Sequence, residues 1–549
     1  MSLSLDSDPP RNDVTEASLE NNDPSKTDHK GYRFPADEVG IPLTKLQWWL
    51  TFLGLCLSLF LAAVDTTIVA TAIPKIGSDF NALEQASWIA TAYILSFDAL
   101  QPMYGKLSDI FGRKNTLLVA VFIFLLGSVL CGVSTNMIMI IVMRALQGAG
   151  GAGIFGIVFI TTADMIPLYA RGQYSALIST VFAIASVCGP LIAFFINLPI
   201  GGVGCILLVL FLKEHREPTS IRKQMTRIDY LGTIALLAFA TLILVALNLG
   251  GVKYSWSSAP VLACLIVGFF FIPILALIEW KFAKEPMIPL HLFKKRTVTC
   301  ICLLNVFFGG AWLSVIIELP LFLQAARGDS ATMSGVRIIV GQAAITVTSS
   351  IGGYMMGRLN SYKPIINTGA ALTSLGIGLL ALFTDTAPFG EMYGFFLIAG
   401  AGAGMVYACG TVAAQSACEK HELAVVTVLV NFFMNLGSAV GIAVASAVVN
   451  NGLEDCLGNQ LSPDLFSSVL QSTTFIRSGA LSPEQENITI KCYVSSFKTA
   501  WTIMACFAAV GFIASLFIEQ HSLFRDSKRS PKSEESEVSV DETAVDVEK

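Results

Sequence analysis

The stretch Gly105–Lys114, GKLSDIFGRK, decides how this chain is read. It is a short charged link between two long apolar runs. Gly105 is expected to end one helix, and a Gly-Arg-Lys cluster at Gly112, Arg113 and Lys114 to open the next. Asp109 is expected to cap that second helix at its positive end. Arg113 and Lys114 would hold the link in the cytoplasm, because basic residues mark cytoplasmic loops. The same residues also suit a basic loop whose only role is to fix topology.

Outward from this link, composition sets the class. Of 549 residues, 54% are hydrophobic and 14% charged, against about 25% charged in a soluble domain. The mean hydropathy is +0.66, so the chain reads as an all-α polytopic membrane protein lying in a lipid bilayer. A net charge of −5 implies no nucleic-acid partner. Residues 1–45 and 520–549 are polar and read as disordered tails. The first lacks a signal-peptide pattern, so the first span is expected to serve as the targeting signal.

A span needs about 20 apolar residues. Fourteen runs qualify: 47–73, 86–104, 115–133, 138–163, 173–193, 195–212, 230–248, 260–280, 297–319, 334–356, 365–383, 392–414, 423–448 and 498–519. With the N-terminus inside, the short inner links carry seventeen Lys and Arg and the short outer links three. That bias puts both termini in the cytoplasm. It also puts loop 449–497 outside, where Cys456 and Cys492 can pair and the Asn487-Ile488-Thr489 sequon can carry a glycan. Residues 173–212 hold two spans with only Asn197-Leu198-Pro199 as a turn; a single crossing there would reverse every later link and destroy the bias.

Charge inside a span is a functional hypothesis by default. Asp65 lies in the first run, as a proton site or a structural partner for a neighbouring helix. Arg144, in the fourth, cannot lose its proton and needs a carboxylate, water or a substrate group; Asp65 is a candidate partner. Asp98, in the second, either lines a water-filled cavity or has no role. Glu318 is expected to reach water from the outer end of the ninth span, and Asp164 to face the cytoplasm. Gly148, Gly150 and Gly153 spell G-x-G-x-x-G with no strand before them, so they read as helix packing and not as a dinucleotide loop. Ala399–Gly404, AGAGAG, reads the same way. Gly189-Pro190 removes one backbone donor and can bend the fifth span. There is no zinc spacing and no Walker loop, so neither an enzyme nor an ATP-driven pump is indicated. No cofactor is expected beyond a proton gradient.

Several of these stretches together resemble one family. GKLSDIFGRK is similar to the loop signature of the major facilitator superfamily. LAAVDTTIVATAIP (61–74), RALQGAGGAG (144–153), SVCGPLIA (186–193), INLPIGG (196–202), IDYLG (228–232) and NFFMNLGSAVG (431–441) resemble the motifs of its fourteen-spanner drug:proton antiporters, and fungal toxin and drug exporters in particular. The likeness spans roughly residues 45–520. It implies a major facilitator fold, with a six-helix bundle over 46–212, two inserted helices within 213–296, and a second six-helix bundle over 297–519. It also implies that Asp65 and Arg144 serve proton coupling, Gly105, Asp109, Gly112 and Arg113 a cytoplasmic gate, and Gly189 and Pro190 the antiport helix. The sequence departs from the pattern between Pro190 and Asn197, where about a dozen residues of the family's outer loop are missing. The implied function is proton-coupled export of small amphipathic molecules at the plasma membrane. The alternatives are a carrier of a polar cargo, such as basic amino acids or iron chelates, at the vacuole or plasma membrane, and a non-transporting or defective family member.

Overall fold

Apolar runs of this length bury their backbone hydrogen bonds internally, so helices dominate the molecule. A computed structural model describes residues 44–80, 88–188, 197–212, 229–250, 254–283, 286, 288–458, 460–471, 473–477 and 479–523. Fifteen α-helices lie among them. The first six are α1 (Lys45–Asp79), α2 (Trp88–Phe111), α3 (Arg113–Gly132), α4 (Met137–Met165), α5 (Arg171–Cys188) and α6 (Asn197–Phe211). Two more follow, α7 (Tyr230–Leu249) and α8 (Ala259–Lys281). The last seven are α9 (Arg296–Arg327), α10 (Ala331–Leu359), α11 (Lys363–Leu380), α12 (Phe389–Ser416), α13 (Leu423–Leu457), α14 (Pro463–Gln471) and α15 (Pro483–Leu516). All but α14 fall on the fourteen apolar runs, and ten of the described helices are long and apolar enough to cross a membrane.

Buried apolar side chains form two main clusters. One lies among α1–α6 around Leu55, Phe124 and Ile157. The other lies among α9–α15 around Phe308, Phe396 and Trp501 and reaches α7 through Leu236 and Ala240. Helix α8 packs mainly on α7 and leaves Phe269, Phe270 and Trp280 exposed, as a lipid-facing helix does.

The link that opened the sequence reading folds differently from expectation. Gly105 does not end a helix: α2 runs through Pro102 and Gly105 to Phe111. Asp109 is therefore in the last turn of α2 and caps nothing. The N-cap of α3 is Gly112, at φ 90° with no side-chain cap. That backbone suits glycine because a Cβ would be strained there.

Loop 449–497 is largely helical. Helix α13 continues to Leu457 and α15 begins at Pro483 behind a Ser482–Gln485 capping box. Between them, Leu461 ahead of α14, Val469 in α14 and Ile476 in a 3₁₀ turn over Thr473–Arg477 enter the core. A disulfide joins Cys456 to Cys492. Asn487 is in the second turn of α15, with the Thr489 hydroxyl buried and donating to the Gln485 carbonyl.

Candidate functional site

The glycine run of α4 determines what can approach it. A Cβ on Gly150 would come within 2.7 Å of the Ala120 carbonyl oxygen, and one on Gly153 within 2.6 Å of the Ala120 side chain. A Cβ on Gly148 would strike Ser96 and the Tyr93 carbonyl, and one on Gly151 the Tyr93 hydroxyl at 2.6 Å. The glycines thus let α2 and α3 close on opposite sides of α4, the close packing that small residues allow in membranes. Gly127 of α3 does the same for Gln147, whose Cα would be 2.9 Å from an added Cβ.

In the pocket so formed, Arg144 of α4 is buried beside Asp65 of α1. Its Nη1 donates to Asp65 Oδ2 at 2.5 Å and to Gln147 Oε1 at 2.6 Å, and its Nε donates to the Ile89 carbonyl at 3.3 Å. Gln147 Nε2 completes the ring by donating to Asp65 Oδ1 at 2.8 Å. The Arg144 guanidinium sits 4.4 Å from the Tyr93 ring centroid, a cation–π contact. Asp65 is 0% exposed and Arg144 2%, so each charge is held by the other and by amide groups, as buried ions require. Gln147 and Tyr93 were not singled out from sequence. Gln147 lies at i+3 from Arg144, on the same helix face, which is the signal that marks it.

A second cluster lies at the end of the bundle that carries Gly105–Lys114, here called the basic end. Arg113 donates to Asp109 at 2.5 Å, to Asp164 at 2.9 Å and to the Ser108 hydroxyl at 2.9 Å. Asp164 is thus drawn into an ion pair and does not simply face water. Across the midline, Arg171 donates to Gln415 at 2.7 Å, and Gln415 to Thr427 at 2.8 Å. Glu422, between α12 and α13, accepts from Lys295 at 2.5 Å, from the Glu419 amide at 2.9 Å and meets His291 at 2.6 Å. Burial pushes the Glu422 carboxyl up, but these donors outweigh it and hold it down at about 2.

The two halves meet along two seams at the basic end. In one, Gly172 and Gly353 touch backbone to backbone, with a Cβ on Gly172 only 2.7 Å from Gly353 Cα. In the other, Ile160 packs on Ala424 and Val428, and Gly105 faces Val428.

Above these seams lies a cavity of about 280 Å³ framed by α4, α5, α9, α10, α12 and α13, and hence by both halves. Its described walls include the aromatic side chains of Phe155, Phe159, Phe182, Trp312 and Tyr407. Asp98 is not among them; it is buried on α2 beside the Asn435 side chain, and Asn435 does line the cavity. An aromatic chain joins the cavity to the ion pair. Tyr93 stacks on Phe97 at 5.9 Å between centroids, and Phe97 meets Phe155 edge-on at 5.7 Å.

Glu318 does not reach water. It is 2% exposed, and neither carboxyl oxygen has a hydrogen-bond partner. Gly189 and Pro190, and the short turn before Asn197, lie outside the described residues.

Two helical halves around a central cavity, with a charge pair buried in one half, define a secondary transporter. The Major Facilitator Superfamily model matches residues 55–442, and the chain belongs to that family. It is a transporter and not an enzyme. It is 32% identical over 506 residues to the efflux pump dotC of Dothistroma septosporum, covering 89% of this chain and 86% of that one. It is also 32% identical to the efflux pump FUS6 of Gibberella moniliformis, over 87% of this chain and 88% of that one. The MFS-type efflux pump MFS1 of Trichophyton rubrum is 32% identical, with 88% and 93% covered. Among solved structures, the human organic anion transporter MFSD10 superposes with a TM-score of 0.56 at 13% identity, over 85% of this chain and 98% of that one. At that identity the likeness concerns the fold.

Proposed function

We propose that the protein is a proton-coupled exporter of small amphipathic organic molecules. It would span the plasma membrane with both termini in the cytoplasm and its basic end inward. The reading rests above all on the buried Asp65–Arg144–Gln147 ring, since a charge pair this deep is costly unless it works or is fully satisfied. The efflux-pump relatives support export. The inward placement of the basic end rests on the seventeen-to-three distribution of Lys and Arg.

Asp65 is the proton carrier in this reading, and Arg144 is the cation that releases it. A nearby cation favours the charged carboxylate, and separation within an apolar pocket favours the neutral acid. Asp65 and Arg144 lie in the same half, so parting them takes a shift of α1 against α4 within that half, and the Tyr93–Phe97–Phe155 stack links such a shift to the cavity wall. One proton entering down 100 mV and one pH unit releases roughly 3.7 kcal/mol. That sustains a cargo gradient of about 500-fold. Arg113, Asp109 and Asp164 act with Gly105 and Gly112 as the inner gate.

The test is efflux of a fluorescent amphipath from cells carrying the chain, with and without a protonophore. Asp65→Asn should abolish uphill, protonophore-sensitive efflux at normal surface abundance. Undiminished efflux by that variant would remove Asp65 from the mechanism.

A further inference from the structure

The link between α8 and α9 is anchored on its inner side and exposed on its outer side. Glu279, buried in the last turn of α8, accepts from the Ile288 amide at 3.0 Å and folds the link back toward the helix end. A 3₁₀ turn over Leu290–Lys294 follows. Leu292 is fully buried, and Phe293 meets Phe433 of α13 edge-on at 6.0 Å between centroids. His291 and Lys295 both close on Glu422. These contacts hold the turn in one place, which spares a binding event the cost of ordering it.

The outward surface of this link mixes rings and cations. Trp280 is 80% exposed, and Phe282 and Leu290 are exposed as well. Lys281 and Lys294 are exposed, and neither forms an ion pair among the described residues. The described acids packed around the link are already engaged: Glu279 with Ile288, Glu422 with Lys295 and His291, and Glu519 with Arg296 at 3.5 Å. Helix α8 is the least buried of the ten described spans, so acyl chains cover most of its length. Indole rings settle at the headgroup level of a bilayer, and a lysine stem lies along apolar surface while its ammonium stays in water.

We infer that the end of α8 and the 3₁₀ turn form a docking platform for an anionic phospholipid, with Lys281 and Lys294 against the headgroup and Trp280 and Phe282 against the upper acyl chain. A soluble anion would meet the two ammonium groups and leave the ring surface uncovered. A zwitterionic lipid would bring its own cation against them. A lipid of net negative charge satisfies both parts of the surface, and each lysine beside an anionic headgroup favours it by roughly fivefold. The platform's place in the inner leaflet rests on the orientation proposed above; the lipid preference itself does not.

The experiment uses the full chain in phosphatidylcholine nanodiscs, to which phosphatidylserine or phosphatidylcholine with brominated acyl chains is added in steps. Contact is read as quenching of Trp280 fluorescence, taken as the part lost in Trp280→Phe. Phosphatidylserine should quench with at least about fivefold higher apparent affinity, and the preference should shrink in high salt. Lys281→Gln combined with Lys294→Gln should bring the two lipids to within about twofold of each other, while Lys491→Gln, near the start of α15, should leave the preference unchanged. Equal quenching by the two lipids, or a preference that survives the double variant, would overturn the inference. So would displacement by soluble glycerophosphoserine at equal concentration, since a headgroup without acyl chains would then suffice. A wrong orientation would leave the preference intact, because nanodiscs expose both leaflets alike. It would show instead as labelling of Lys294→Cys, above the unmutated chain, by a membrane-impermeant thiol reagent added outside intact cells.

Discussion

The two halves of the molecule each bury a carboxyl group, and they treat it in opposite ways. Asp65 in the first half makes hydrogen bonds from Arg144 and Gln147 through both oxygens. Glu318 in the second half makes none, although both are at most 2% exposed. Burial alone therefore does not identify a working charge; what surrounds the carboxyl does. The helix that carries Arg144 is cut with glycines so that two neighbours close around the pair. The helix that carries Glu318 offers Val315, Leu319 and Phe322 on the same face, all fully buried, and the nearby Trp501 indole N–H is itself without a partner.

The contrast breaks most sharply at Arg144. Arg144→Leu should leave Asp65 buried and uncompensated and cost about 3–5 kcal/mol, seen as a large drop in thermal unfolding temperature in detergent. Adding Asp65→Asn to it should recover much of that stability and none of the proton coupling, a coupling that a double-mutant cycle isolates.

A smaller effect is expected at the basic end. Glu422 is held below its ordinary value, so its contribution is present above about pH 4.5 and is lost as pH falls toward 2. Glu422→Gln should cost roughly 1.5–3 kcal/mol at neutral pH and remove that acid-side decline from a stability-against-pH curve. Next, Gly150→Leu should force α3 and α4 apart and cost about 1–3 kcal/mol. Gly410→Ala, at a single glycine of α12 beyond the Ala399–Gly404 run and with nothing within 4 Å of the new Cβ, should be close to silent in the same melting assay.

The smallest effect sharpens the opening comparison. Glu318→Gln removes no partner, so its stability should change by less than about 1 kcal/mol. A loss as large as that of Arg144→Leu would mean that Glu318 has an unseen counterpart and that the halves are alike after all.

The helices were legible because membrane spans announce themselves by length and apolarity; fourteen of the fifteen described helices coincide with runs read from sequence. Their ends were less so. Glycine at 105 reads as a stop, yet in a buried helix the packing against Val428 and Ala424 of α13 decides, and α2 continues for another turn and a half. The folding of segment 449–497 was missed because α14 is short and its apolar residues are spaced among polar ones. Asp65 and Arg144 stood out as charges in apolar runs. Neutral partners such as Gln147 carry no such flag, and the Gln101–Asn435 bond joins residues 334 apart in the chain, beyond the reach of any local pattern.

The glycine contact between α5 and α10 has a kinetic consequence. Where Gly172 meets Gly353 the backbones touch and the Met356 methyl presses on Gly172, 2.5 Å from where its Cβ would be, while Gly357 rests directly on the Tyr169 carbonyl. Surfaces joined by knobs and holes must change rotamers before they part, and each change adds friction. Two bare backbones can slide and separate as rigid bodies. Parting the halves at this contact of the basic end would then call for few side-chain rearrangements and for breaking discrete polar bonds such as Arg171–Gln415.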